Sequence, residues 1–105
     1  MVSEYVIFEK NVTKFTAPDY SIQNDLEEKL DEIVKECMKR MTRHFIIFDQ
    51  FERALVNKKV FGYITHFLKE SKYLPIFIAF VCMNEDYIRI IEELKSSTIK
   101  ETEEG

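Results

Sequence analysis

Glycine and proline occur only twice each in 105 residues. Long irregular loops draw on those residues, so their scarcity predicts regular elements joined by short connections. Positive charge is not in excess either: the formal net charge is −4. Phosphate attraction needs concentrated positive charge, so no nucleic-acid partner is expected. No apolar run approaches the roughly 20 residues that span a bilayer. The longest, PIFIAFVCM, is strand-sized. MVSEYVIFEK shows no basic stretch ahead of a long apolar segment, so no secretory signal is visible. Cys37 and Cys82 sit inside apolar patterns with no CxxC, which predicts small buried hydrophobes with reduced thiols in a cytoplasmic protein.

What is present is apolar mass and mixed charge, 46% hydrophobic and 32% charged, enough to bury the core of one small domain. YVIF (5–8) reads as a buried strand and VTKFT (12–16) as a second, half exposed. Lys10-Asn11 between them predicts a tight hairpin turn. Ile22, Leu26, Leu30, Ile33, Val34, Cys37, Met38 and Met41 then form one apolar stripe at helical spacing. Asn24 with Glu27 resembles a capping box, with Ser21 as a rival cap. FIIF (45–48) is a continuous apolar run, as expected of a strand covered on both faces. A second helix fits residues 58 to 71, with Asn57 as its N-cap and Val60, Phe61, Ile64, Phe67 and Leu68 facing inward. PIFIAFVC (75–82) repeats the buried-strand pattern. A third helix follows Asn84, with Tyr87, Ile88, Ile91 and Leu94 inward. Residues 1–97 thus form one domain, and 98–105 read as a polar, flexible tail.

The order is hairpin, helix, strand, helix, strand, helix. It predicts an α/β fold: a small mixed sheet, the hairpin antiparallel and the later strands parallel, with about three helices. The helices can pack on one or both faces.

The chemical readings fail one by one. FIIFDQFE resembles the strand and acid that position magnesium in P-loop ATPases, but the partner loop GxxxxGK[ST] cannot be built from Gly62 and Gly105 alone. Asp49 is then a polar residue at the end of a strand. His44 and His66 have no further ligand at a convincing spacing, and His66 with Glu70 is a surface i,i+4 pair. No metal and no cofactor is expected. Neither strand-to-helix elbow carries Ser, Cys or Thr at its tip, and Glu85 and Asp86 oppose activation of Cys82. Lys58 and Lys59 are the oddity. They occupy the first turn of a helix, where cations are unfavourable, and Gly62 follows within that helix.

The element order and spacing resemble the STAS domain, the fold of bacterial anti-sigma factor antagonists. YVIFEKNVTKFTAPDY stands at the family's first strand and turn, and RHFIIF at the strand before its switch turn. VFGYITHFLKES stands at the helix the family starts with GLG, with Phe61-Gly62 on the LG pair. PIFIAFVCMNEDYIRII stands at the last strand and helix, including Arg89. The family's DSSG turn falls on Asn57, Lys58, Lys59 and Val60, so Lys58 occupies the place of the phosphorylated serine. The resemblance implies a non-catalytic regulatory module without the phosphorylatable serine. It implies a protein partner, such as an anti-sigma factor or kinase-like regulator, met by Asn57, Lys58, Lys59, Phe61 and Gly62.

Two further readings compete. Nine phenylalanines and five tyrosines can line an apolar cleft for a lipid or nucleotide. Alternatively the chain is a structural subunit, a homodimer in which an exposed sheet edge such as VTKFT pairs with its copy.

Overall fold

The computed structural model describes residues 2–7 and 10–104. It is an α/β domain with one four-stranded mixed sheet and three main helices. The strands are β1 (Ser3–Ile7), β2 (Lys10–Phe15), β3 (His44–Phe48) and β4 (Ile76–Phe80). The helices are α1 (Gln23–Arg40), α2 (Lys58–Glu70) and α3 (Tyr87–Glu104). Short 3-10 turns at Ala17–Ser21, Phe51–Val56 and Asn84–Asp86 follow β2, β3 and β4.

The strands lie in sequence order, β1 antiparallel to β2, then β2, β3 and β4 parallel. Two successive right-handed crossovers that move the same way across a sheet put both helices on one face. The contacts agree: α1 touches α2, α2 touches α3, and all three contribute to a single core. The sheet is therefore covered on one side only.

That side carries a ladder of register mates. Phe15, Phe48 and Phe80 occupy equivalent positions on β2, β3 and β4. Their rings stack at 5.3 Å and 5.4 Å between centroids. Phe51, fully buried in the turn after β3, caps the ladder 4.4 Å from Phe80. Offset aromatic pairs add about 0.5–1.5 kcal/mol each beyond area burial. Leu26, Leu30, Ile33 and Cys37 from α1 and Val60, Ile64 and Phe67 from α2 close over the sheet. Tyr63 fastens the two helices by donating its hydroxyl to Asp31 at 2.6 Å.

Several local expectations change. Lys10 pairs with Ile7 and Asn11 with Val6, so Lys10-Asn11 is strand and not the hairpin turn. β2 is an interior strand flanked by β1 and β3, so VTKFT offers no free edge. Neither Ser21 nor Asn24 caps α1, whose N-cap position is Ile22 without a side-chain bond. The chain is instead turned one step earlier, where the Asp19 carboxylate accepts from the Thr16 backbone N–H at 2.7 Å. The α1 stripe ends at Cys37, and Met38 and Met41 are exposed. In α3 Leu94 packs against the core as expected, but the buried residue is Ile90, while Tyr87 and Ile88 are exposed. The 3-10 turn at Asn84–Asp86 delays the start of the helix and rotates its phase. Helix α3 runs on through the segment read from sequence as a tail.

FIIF is apolar throughout for a different reason than double coverage. Ile46 and Phe48 face the helices and are fully buried. Phe45 and Ile47 lie on the open face, half-buried by neighbouring strands. Phe77 on that face is 57% exposed.

Truncating the cap of the ladder tests its weight. Phe51→Ala should cost about 3–5 kcal/mol in urea unfolding, the range for a buried aromatic emptied to alanine. Tyr73→Ala, at a residue 87% exposed, should change stability by less than about 0.5 kcal/mol.

Candidate functional site

The loops that leave the carboxyl ends of β2, β3 and β4 gather at one end of the sheet. In open α/β sheets this end is where ligands and partners are met. Here the first two turns are tied to each other. Gln50 accepts from the Ala17 N–H through its side-chain oxygen at 3.2 Å. The Tyr20 hydroxyl donates to the Asp49 carbonyl at 2.6 Å. The Asn57 amide donates to the Tyr20 carbonyl at 3.0 Å. These bonds join residues 29 to 37 apart in sequence.

Gln50 stands in the left-handed region at φ 51°. A non-glycine residue there costs about 1 kcal/mol, which the surrounding bonds must offset. Asp49 closes the same turn, accepting from the Gln50 N–H at 2.9 Å and facing Lys14 at 3.5 Å. It is the turn-forming polar residue that the sequence suggests. Among the described residues no group of three or more His, Cys, Asp or Glu side chains could hold a metal ion.

Asn57 is the N-cap of α2, as its place before the apolar stripe implies. Its side-chain oxygen accepts from Val60 N–H at 3.3 Å while its amide reaches back to Tyr20. One side chain thus fixes both the start of α2 and the turn beside it. Lys58 and Lys59 follow directly and are exposed, with no acidic residue in the first helical turn to neutralise them. Two ammonium groups therefore project from the positive end of the α2 dipole.

Gly62 is exposed, and a Cβ built there would meet nothing within 4 Å. Its missing side chain serves no packing need inside the domain. Phe61 sits differently from an outward anchor: it is half-buried, its ring 6.0 Å from Phe51. The apolar residue presented outward is Val56, 85% exposed and adjacent to Asn57. Val56 was not singled out from sequence because it reads as one more apolar residue in FERALV. A cleft of about 470 Å³ opens beside it, walled by Pro18, Tyr20, Gln50, Arg53 and Asn57.

The cysteine at the neighbouring elbow is not activated. Burial pushes the Cys82 thiol up, and the Glu52 and Asp86 carboxylates push it further. Cys37 is buried and likewise raised, chiefly by burial. Thiolate formation is disfavoured at both.

Tyr20 and Tyr63 are held protonated well above the ordinary phenol range. Burial is the main cause for each, followed by Asp19, Asp49 and Glu52 around Tyr20, and by the Asp31 hydrogen bond at Tyr63. A raised phenol favours the folded state with its proton on. That stability is whole below the ordinary value of about pH 10 and is lost as pH rises beyond it. Tyrosinate absorbance should show Tyr20 and Tyr63 ionising only with alkaline unfolding. In Tyr20→Phe the alkaline loss should be smaller.

The cap and the glycine should respond in opposite directions. Asn57→Ala should destabilise by about 1–2 kcal/mol, for the lost cap and the lost tie to Tyr20. Gly62→Ala should stabilise by up to about 1 kcal/mol, since the added methyl meets open space. Thermal unfolding followed by circular dichroism checks both. No protein-family model, no curated protein and no solved structure matches the chain.

Proposed function

We propose that this protein is a non-catalytic regulatory module of the STAS type, which binds a partner protein through the start of α2. The observation that carries the reading is the pairing of a rigid frame with an unneutralised surface. Asn57 and its bond to Tyr20 lock the turn, and Lys58, Lys59 and Val56 project from it. Gly62 leaves the next turn of the helix open to a close approach. Cations at a helix N-terminus are disfavoured by a few tenths of a kcal/mol each, and an acidic partner would relieve that cost. The element order and the sheet with helices on one face support the STAS reading.

In that reading Lys58 stands where antagonists of this kind carry their regulatory serine. A fixed positive charge then replaces a switchable negative one. The partner is an anti-sigma factor or a kinase-like regulator, and the module acts in the cytoplasm. No helix among the described residues is long and apolar enough to cross a membrane. The alternative of a small-ligand carrier has less support. The phenylalanines that could line a cleft are stacked on one another in the core.

Affinity capture from native lysate with mass spectrometry tests the proposal. The wild-type chain should retain a partner that Lys58→Glu with Lys59→Glu loses, at a melting temperature equal to or above that of the wild type, since acidic residues suit a helix N-terminus. Equal retention by both chains contradicts the proposal, as does a partner that acts on DNA or lipid alone.

A further inference from the structure

The sheet has two edges, and they are built differently. β1 carries Glu4, which forms an ion pair with Lys29 of α1. A charge on an edge strand discourages pairing with another chain. β4 is IFIAF, with no charge, no proline and no glycine within it. The hydrogen bonds at its two ends show which backbone groups stay free of β3. His44 donates to the Pro75 carbonyl and Val81 donates to the Phe48 carbonyl. Parallel pairing alternates, so Pro75, Phe77, Ala79 and Val81 turn their groups toward β3, whereas Ile78 and Phe80 turn theirs to the edge. On the open face beside this edge, Phe77 is 57% and Val81 46% exposed.

We propose that β4 is a dimer interface. Two copies pair β4 against β4, antiparallel, around a twofold axis at Ile78, and continue the sheet across both chains. This register is self-complementary in two respects. It makes Ile78 a hydrogen-bonded pair with its own copy and sets the Phe80 N–H against the Ile76 carbonyl, so the groups turned to the edge are joined. It sets Phe77 of each chain opposite Ala79 of the other on the open face, a large side chain beside a small one, twice. Size complementarity at the centre selects this register over a slipped one. The pairing is isologous and uses the same edge of both chains, so it closes at two copies.

Sedimentation velocity tests the pairing. The wild-type chain should sediment at twice its 12.6 kDa mass. Phe77→Lys with Ala79→Lys sets lysines opposite each other across the axis and should give the monomer, with an unchanged far-ultraviolet spectrum. Phe77→Lys with Ala79→Glu sets each new lysine opposite a new glutamate and should restore the dimer. A wild-type monomer up to the solubility limit overturns the proposal. So does a mass that grows beyond two copies, or the same mass for both double variants.

Discussion

The Phe15, Phe48 and Phe80 ladder is the constraint on which the rest of the structure depends. Stacked rings at register-matched positions require β2, β3 and β4 to align end to end. A slip of one residue would turn each phenylalanine to the open face. With the strand ends level, the turns after them leave from one plane. Phe51 then descends onto the ladder and draws the segment after β3 inward. Burial in the core and the placement of the surface turn are one event.

The start of α2 inherits that order. Phe51 anchors the turn from below, Gln50 and Tyr20 tie it sideways, and Asn57 joins it to the helix. What projects from so fixed a base is two lysines and a valine. Charge and apolar surface presented together on a fixed base are the features by which protein surfaces recognise one another. The open sheet face and the bare β4 edge lie on other parts of the sheet. Self-association there and partner binding at α2 need not compete.

The periodicities made much of this legible. Alternating stripe and run marked every strand and helix, and Asn57 declared itself as a cap by its place before Val60. The failures share a physical cause. Phe51 and Tyr20 sit in turns, where no period marks a residue as buried, and their partners lie about thirty residues away. The α1 caps were misjudged because Asp19 turns the chain through Thr16 before the helix begins. The phase of α3 depended on an extra 3-10 turn that polar residues do not announce. FIIF suggested coverage on both faces, yet the structure leaves one face open. Val56 shows the limit most plainly: its meaning lies in what it does not touch, which no sequence pattern encodes.

The surface at the start of α2 is best tested by amide chemical-shift perturbation, with the captured partner titrated into isotope-labelled protein. The account predicts that the largest shifts fall on Val56, Asn57, Lys58, Lys59 and Gly62, with the buried ladder amides unmoved. Shifts concentrated on α1 or on the far ends of the strands, with residues 56–62 silent, would contradict it.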